Sequence, residues 1–266
     1  MAPGDGAVHR LRRLDYAWRL VATGLAFAAL SLGGFLMAVT VIPLYRRAAS
    51  DPVLRARRAQ RLVRASFRLY IFMLQYLGVI ELKLVGAKRL HACRGNVVVA
   101  NHPTLLDIVL IMSLVPDAQC VVKHQLWRHP LLGPLVRAAG YIRNDQNPES
   151  LIEACKTALA AGANLIIFPE GTRSVPGRPL RLQRGFAHIA ALSGADVQLL
   201  SITCEPITLI KGEKWYVIPA RRPTFTVEVG EQVRTKDFFD QPSRARAVRR
   251  LVSYLEGYYV GKLQHG

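Results

Sequence analysis

The chain has 266 residues, enough for one domain of ordinary size with roughly 80 residues to spare. Its 36 Lys and Arg outnumber its 18 Asp and Glu, and the formal net charge of +18 favours anionic partners. No nucleic-acid-binding motif accompanies this charge, so a nucleic-acid partner is not expected. The cysteines form no C-x-x-C pair, which argues against a zinc site and predicts buried, reduced thiols at Cys93, Cys120, Cys155 and Cys204.

An uncharged run near the N-terminus is the first predicted element. Leu20 to Tyr45 contains 26 residues without a charged side chain. A helix rising about 1.5 Å per residue crosses the hydrocarbon core over that length, so the run predicts a transmembrane helix. A cleaved signal peptide is the alternative, but the run ends in Pro43-Leu44-Tyr45-Arg46-Arg47 and not at a small-residue cleavage site.

Basic residues flank this run on both sides, so the positive-inside rule allows two topologies. In one, Gly33 and Gly34 break the segment into a re-entrant pair with both flanks in the cytoplasm. In the other, a single span leaves the more basic C-terminal side in the cytoplasm. Both place the following domain on the cytoplasmic face of the inner (cytoplasmic) membrane. The flanking residues are Arg10, Arg12, Arg13 and Arg19 before the run, and Arg46, Arg47, Arg55, Arg57 and Arg58 after it.

A predicted amphipathic helix follows, with arginines on one face and apolar residues opposite. Such a helix either lies on an anionic membrane surface or covers the domain core with a solvated basic face. We therefore predict a membrane-anchoring and amphipathic helical region over residues 1–77 and a second domain over residues 78–266. The arginines are Arg57, Arg61, Arg64 and Arg68, and the apolar residues are Ala56, Ala59, Val63, Phe67, Tyr70 and Leu74.

From Val79 onward, short apolar runs alternate with helical segments, which is typical of an α/β domain. Pro148 to Ala161 is predicted to be a helix that Gly162 ends. An apolar helix is also expected from Pro103. The predicted strands are Val79 to Val85, Asn96 to Ala100, Leu165 to Phe168, Val197 to Thr203, Lys214 to Ile218 and Thr224 to Val229.

His102 and Asp107 form a pair that can make an imidazole a general base. Within one helix, five steps of about 100° would leave the two side chains about 140° apart. His102 is therefore predicted to lie at the end of the Asn96 to Ala100 strand, with Pro103 as the first helical residue and the ring folded back toward Asp107. A histidine that only caps the helix is the alternative.

Such a pair suits direct acyl transfer. His102 would remove the proton from a hydroxyl that attacks an acyl thioester, while Asp107 orients the ring. The chain has no G-x-S-x-G motif, so no serine nucleophile is expected. A thiolate leaves readily, and the reaction needs no cofactor. Backbone amides near the start of the Pro103 helix could stabilise the oxyanion.

A second block, Phe168 to Arg173, follows another apolar run. Together with the block from Asn101 to Asp107, it resembles the lysophospholipid acyltransferase family, whose best-known members are 1-acylglycerol-3-phosphate acyltransferases. The resemblance covers Val79 to Val233 and implies a glycerolipid acyltransferase-like α/β fold. It also implies that the first block carries the catalytic base and that the second helps to bind glycerol phosphate. The implied acceptor residues are Glu170, Gly171, Thr172 and Arg173, and a structural Glu-Arg pair that holds the turn is the alternative.

Three positions depart from the family pattern. Members commonly carry an arginine six residues after the glycine that matches Gly140, where it helps to grip phosphate, but this chain has Gln146 there. Arg143 could replace it from a shifted position, or the acceptor could lack a phosphate. Where members often have prolines on a later strand, this chain has Gln198 and Ser201, which leaves the shape of the floor of the site open.

The stretches Val122 to Trp127 and Gly140 to Asp145 are similar to a bacterial subgroup associated with aryl-polyene lipid biosynthesis. This similarity adds an acyl carrier protein to acyl-CoA as a possible thioester donor, and a basic enzyme attracts an acidic carrier protein. The expected acceptor is a membrane lysophospholipid such as 1-acylglycerol-3-phosphate. A non-phosphate glycolipid or amino-lipid acceptor and a catalytically inactive membrane scaffold are the alternatives. A nucleotide-dependent enzyme is disfavoured, because Gly257 to Lys262 lacks phosphate-loop spacing.

Overall fold

The computed structural model describes residues 5–41, 43, 51–130, 132–145, 147–175, 180–239 and 243–264. A seven-stranded sheet runs through its centre in the order β1-β7-β6-β2-β5-β3-β4. Neighbouring strands are parallel except β6 and β7, which are antiparallel. The strands are β1 Glu81–Val85, β2 Val97–Ala100, β3 Ala118–Val122, β4 Ile142–Arg143, β5 Asn164–Ile167, β6 Val197–Glu205 and β7 Thr224–Val233.

Helices cover both faces of the sheet and bury one apolar core on each side, which confirms the predicted α/β class. All four residues of β2 are buried, as expected for a central strand covered by helices on both faces. The helices are α1 Asp5–Leu36, α2 Pro52–Tyr76, α3 Asp107–Leu114, α4 His124–Trp127, α5 Gly133–Ala138, α6 Pro148–Ala160, α7 Gly185–Ser193, α8 Lys236–Phe239 and α9 Arg244–Gln264. A π-helical segment, Met37–Val41, continues α1, and a 3₁₀ helix, Ala87–Ala92, follows β1.

One predicted strand is wrong, and two strands were not predicted. Residues 214–218 lie in the connection between β6 and β7, where Trp215 packs against Phe27 of α1 with ring centroids 6.0 Å apart. This short apolar run packs against a helix instead of joining the sheet. The spacing of apolar residues alone does not distinguish these two outcomes. The unpredicted strands are β3 and β4, and β4 has only two residues. The remaining predicted strands are present with shifted ends, and α6 ends just before Gly162, as predicted.

Helix α1 runs through Gly33 and Gly34 without interruption, which contradicts the first of the two topologies considered, the re-entrant pair broken at these glycines. A Cβ atom added at Gly34 would lie 2.6 Å from a methyl group of Leu132, which shows that the glycine permits close packing. One helix of the described part of the chain, Leu11–Thr40, is long and apolar enough to cross a membrane. Residues 42 and 44–50, where the uncharged run ends, lie outside the described residues.

The fully buried residues of α1 and its π-helical continuation are mostly small, although Phe27, Leu30 and Met37 also pack against the core, partly buried, and many of the exposed residues are large and apolar. A helix packed on a water-soluble domain shows the opposite pattern, because water penalises large exposed apolar side chains. The inward residues are Arg19, Ala22, Thr23, Ala26, Gly34 and Ala38. The exposed residues, here called the outer face of α1, are Leu11, Leu14, Trp18, Val21, Leu25, Leu32, Phe35, Leu36 and Val39.

The arginine face of α2 contacts the protein itself. Arg57 donates to the carbonyl of Ala161 at the end of α6, at 2.6 Å, and Arg64 donates to the carbonyl of Leu114 at the end of α3, at 2.7 Å. These contacts satisfy carbonyl groups that a helix leaves unpaired at its C-terminus. The reading in which the whole arginine face lies on a membrane is therefore corrected. The opposite face of α2 is buried in the core, so α2 packs closely on the rest of the chain.

Candidate active site

Five strands end at the same edge of the sheet. β2, β3, β4, β5 and β6 run in one direction, so their carboxyl ends meet there, as in α/β sheets that bind ligands at this edge. His102 follows β2, and Glu170 follows the neighbouring strand β5. On the other side of β2, β6 leads into residues 206–223, here called the β6–β7 connection. The fold therefore brings the two sequence blocks together.

His102 and Asp107 are in contact, with Nδ1 of the ring 2.8 Å from Oδ2 of the carboxylate. The ring lies outside the helix, as predicted. Pro103, however, is not the first helical residue, because α3 begins at Asp107. The amide and the hydroxyl of Thr104 donate to the Asp107 carboxylate at 2.7 and 2.5 Å and hold residues 104–106 in a turn before the helix starts.

The Asp107 carboxylate is fully buried and accepts hydrogen bonds on both oxygens. Burial raises the pKa of Asp107 above its ordinary value of 3.8, and the hydrogen bonds from His102 and Thr104 oppose that rise. An ionised carboxylate only accepts hydrogen bonds, so Nδ1 of His102 is the donor. This tautomer leaves Nε2 unprotonated and able to accept a proton.

The His102 ring is held on its face as well as at its edge. It stacks on Phe168 with ring centroids 4.1 Å apart and planes 22° apart. The side chain keeps 18% of its surface exposed, whereas Asp107 keeps none. A reacting group can therefore reach the ring from solvent or lipid, while the carboxylate behind it is screened from both.

Glu170 holds the backbone of His102. Its Oε1 accepts from the His102 amide and from the Ser174 hydroxyl, each at 2.9 Å, and the Ser174 amide donates to the His102 carbonyl at 2.7 Å. Two hydrogen bonds thus join His102 to the segment from Glu170 to Ser174, and the Ser174 hydroxyl holds the Glu170 carboxylate in place. The Glu-Arg pair considered as an alternative is absent from the ion pairs of the described residues, because Glu170 faces His102.

Arg173 points to a different neighbour. Its Nη1 donates to the carbonyls of Leu209 and Ile210 in the β6–β7 connection, both at 3.0 Å. The turn before it requires glycine, because Gly171 has φ +70° and an added Cβ would lie 2.4 Å from the Gln183 side chain. Thr172 is exposed on the same turn.

Arg143 does not lie beside His102. It ends β4, three strand spacings from β2 and so about 14 Å away across the sheet. Its guanidinium binds Asp145 through two hydrogen bonds, of 2.9 and 2.5 Å, and lies 5.6 Å from the centre of the Trp127 ring. This pairing lowers the pKa of Asp145 to about 2. Gln146 lies outside the described residues.

The backbone amides of residues 104–106, directly before α3, already have partners and are not free to stabilise an oxyanion. The amide of Thr104 donates to Asp107, that of Leu106 to the Thr104 hydroxyl, and that of Leu105 to the carbonyl of Leu209 at 3.1 Å. The Thr104 hydroxyl and the Leu209 carbonyl thus accept hydrogen bonds from backbone amides that would otherwise lack a partner.

Several residues of the site escaped the sequence argument. Thr104 is the first residue of a Thr-x-x-Asp pattern, a helix-start signal that could have identified it. Asn101 exchanges two hydrogen bonds of 2.8 Å with the backbone of Ile202 and joins the end of β2 to β6. Gln198 and Ser201, which left the floor of the site open, lie within β6 and away from its carboxyl end. No local pattern marks Ser174 or Leu209.

The four cysteines are free and buried, as predicted. Burial raises the pKa of Cys120 and of Cys204 to about 12. A thiol with so high a pKa is not ionised at neutral pH, and the thiolate is the nucleophilic form. A cysteine nucleophile is therefore disfavoured at this edge of the sheet.

Residues 81–210 match the family model described as Acyltransferase. Among curated proteins, the chain is 31% identical over 172 residues to a 1-acyl-sn-glycerol-3-phosphate acyltransferase of Cocos nucifera, covering 62% of this chain and 53% of that protein. It is 33% identical over 139 residues to the protein of the same name from Limnanthes douglasii, covering 50% of this chain and 49% of that protein. The chain thus spans about half the length of these relatives.

The fold resembles that of a solved structure, the 1-acyl-sn-glycerophosphate (LPA) acyltransferase PlsC from Thermotoga maritima. The TM-score is 0.67 and the match covers 90% of this chain and 96% of that chain. Sequence identity over the match is 20%, so the likeness establishes the fold.

Proposed function

We propose that the protein is a membrane-associated O-acyltransferase, because residues 81–210 match the Acyltransferase family model. It moves an acyl chain from an acyl thioester to a hydroxyl of a lysophospholipid such as 1-acylglycerol-3-phosphate. The contact between Nδ1 of His102 and the buried carboxylate of Asp107 carries the proposal. The names of the curated relatives support the choice of acceptor.

His102 acts as the general base through Nε2. The acceptor hydroxyl gives its proton to Nε2 while its oxygen attacks the thioester carbonyl carbon, and a carbon–oxygen bond forms. The tetrahedral oxyanion then collapses, the carbon–sulfur bond breaks, and the leaving thiolate takes the proton from the imidazolium. The ring returns to its starting state, and no covalent enzyme intermediate is formed.

Asp107 keeps this ring in the reactive tautomer. It accepts a hydrogen bond from the Nδ1–H group, and its negative charge stabilises the imidazolium that forms during the attack. Thr104 holds the carboxylate from the other side through its amide and hydroxyl. Because both carboxylate oxygens are engaged, the ring has one stable orientation.

The acceptor headgroup is proposed to bind at the turn that contains Gly171, Thr172 and Arg173. Arg173 uses Nη1 for two carbonyls of the β6–β7 connection, and a guanidinium carries five N–H donors, so donors remain for a phosphate. Glu170 organises the site by holding His102 and has a smaller part in binding. Arg143 is a more distant candidate, already paired with Asp145.

The membrane proposal is supported by the outer face of α1. Many of its large apolar side chains are exposed while its fully buried residues are mostly small, the arrangement expected when lipid and not water covers the helix. We place the protein at the inner (cytoplasmic) membrane with the site facing the cytoplasm, where acyl thioesters are available. Both acyl-CoA and acyl carrier protein are proposed as donors, and the net charge of +18 favours the acidic carrier.

The test uses purified full-length protein in vesicles, with acyl-CoA and acyl carrier protein as separate donors. The acceptors are 1-acylglycerol-3-phosphate, a lysolipid without phosphate, and an amino lipid with a free hydroxyl. Mass spectrometry then identifies any product that is absent with His102→Ala. We expect diacylglycerol phosphate as the main product. A product formed only from a phosphate-free acceptor would favour the glycolipid or amino-lipid alternative, and no product with any pair would favour the scaffold.

A further inference from the structure

The tip of the β6–β7 connection is formed by Trp215, Tyr216 and Val217, three consecutive large side chains that are each between 44% and 46% exposed. Such a cluster in water would expose apolar surface without a counterpart. We propose that this tip is inserted into the lipid–water interface of a bilayer, beside the outer face of α1, as a separate lipid contact. The proposal rests on the membrane association proposed above.

The tip continues the apolar surface of α1. Trp215 packs against Gly24, where an added Cβ would lie 3.2 Å from the indole ring, and against Phe27 with centroids 6.0 Å apart. The exposed residues Val21 and Leu25 of the outer face lie on the same turns of the helix. A bilayer that covers this part of α1 therefore reaches the tip as well.

The chemistry of the tip matches an interface more closely than a hydrocarbon core or a protein groove. Tryptophan and tyrosine are enriched at the headgroup level of membranes, where an apolar ring and a polar tip are both satisfied. Lys211 and Lys214 flank the aromatic residues and are exposed, with Nζ of Lys214 5.6 Å from the centre of the Tyr216 ring. These ammonium groups fit the anionic headgroups of a bacterial-type membrane surface.

A buried arginine fixes the tip to α1. Arg19 is 2% exposed, and its guanidinium donates to the carbonyls of Pro219 and Ala220, at 2.9 and 2.8 Å, and to Asp15 at 2.8 Å. A buried guanidinium needs such partners, because an unpaired charge away from water is costly. The helix and the connection therefore keep one relative position, with both apolar surfaces facing outward.

The same connection reaches the candidate active site. Leu209 and Ile210, whose carbonyls accept from Arg173, lie only a few residues before the tip. Five residues of extended chain span at most about 18 Å, so Trp215 lies within about that distance of Ile210, whose carbonyl Arg173 contacts. The tip is thus a place where a membrane-resident acceptor can meet the site without leaving the interface.

The decisive experiment measures whether lipid touches Trp215. The chain has three tryptophans, so Trp18→Phe with Trp127→Phe leaves Trp215 as the single fluorophore in the full-length protein. This protein is bound to vesicles of phosphatidylglycerol and phosphatidylcholine, with and without bromine on the acyl chains. We expect bromolipid to remove most of the Trp215 emission. Emission that is unchanged in vesicle-bound protein would overturn the proposal and would instead favour a protein partner at the tip.

A variant pair provides the second readout. Trp215→Ser with Tyr216→Ser should lower the vesicle-bound fraction in flotation, whereas Tyr254→Ser should not, although Tyr254 on α9 is equally exposed at 45%. Equal loss in both variants would overturn the proposal. Neither measurement uses acyl transfer, so an inactive protein with a quenched Trp215 would count against the proposed reaction and not against the lipid contact.

Discussion

The edge of the sheet around His102 buries polar groups, whereas the outer face of α1 exposes apolar side chains. At the edge, buried polar groups are paired one by one: Asp107 with His102 and Thr104, and Asn101 with Ile202. On α1, large apolar side chains remain exposed. The first region is specified by individual partners, and the second by the solvent it faces. A single substitution should therefore disable the first region, whereas the second should respond in proportion to the apolar area removed.

The largest effect is expected for His102→Ala. Removing a general base costs about 10² to 10⁴-fold in rate, so kcat should fall by that factor while vesicle binding stays normal. His188→Ala, at an exposed position on α7, is the matched control and should keep its activity. Activity of purified His102→Ala close to that of the wild type would contradict the role of the ring.

Asp107→Asn should lower kcat by about 10²-fold or more. An amide can accept on one side only, so it cannot keep the bonds from His102 and both Thr104 donors. The fold should survive, because burial makes the charged carboxylate costly and the amide relieves that cost. Circular dichroism and the thermal midpoint would check the fold beside the kinetic assay.

The same residue predicts a pH dependence. Since the folded-state pKa of Asp107 is raised, its contribution to stability is complete below the ordinary value of 3.8 and is lost as pH rises through the folded-state value. As pH rises through that window, the Tm of the wild type should therefore fall relative to the Tm of Asp107→Asn. A wild type that gains stability over the variant in the same window would reverse the assigned direction.

A graded effect is expected on the outer face of α1. Leu25→Ser with Leu32→Ser removes two exposed side chains, each worth about 1.5–3 kcal/mol when buried in lipid, so vesicle affinity should fall by about 10²-fold or more. Activity on a short-chain, water-soluble acceptor should stay near normal. Val260→Ser, at an exposed position on α9, is the control. Equal losses on lipid-embedded and soluble acceptors would show that the face supports the fold instead of contacting the membrane.

Arg173→Lys should lower kcat/KM for a phosphate-bearing acceptor by roughly tenfold, because a lysine cannot replace a guanidinium that binds two groups at once. The KM of the donor should change little. Kinetics with each substrate varied in turn separate the two. A defect confined to the donor would move Arg173 out of the acceptor site.

The smallest effect is expected for Arg143→Ala, since Arg143 lies far from His102 across the sheet. The pKa of Asp145 should return from about 2 toward its ordinary value of 3.8, because the guanidinium bonds that lower it are lost. NMR titration of the carboxyl carbon would measure this. If Arg143→Ala lowered kcat/KM for the acceptor more than Arg173→Lys does, Arg143 would belong to the acceptor site.

The same contrast explains what the sequence could predict. The contact between His102 and Asp107 was accessible because its residues are five positions apart and a strand end fixes the first. That the N-terminal helix is long and apolar enough to cross a membrane follows from composition alone. The hydrogen-bond partners of Arg173 and Arg19 could not be predicted from the sequence. The partner carbonyls lie in the β6–β7 connection, 36 residues from Arg173 and about 200 residues from Arg19. The partners of Arg57 and Arg64 on α2 could not be predicted either, because they are carbonyls at the ends of α6 and α3.

Thiol release tests the central claim most directly. Purified protein in anionic vesicles is mixed with an acyl thioester, and the free thiol is followed with and without 1-acylglycerol-3-phosphate. We expect rapid release only when the acceptor is present, and none above background for vesicle-bound His102→Ala. Release that does not need an acceptor, or that persists in the variant, would contradict a direct transfer in which His102 removes the proton of the acceptor hydroxyl.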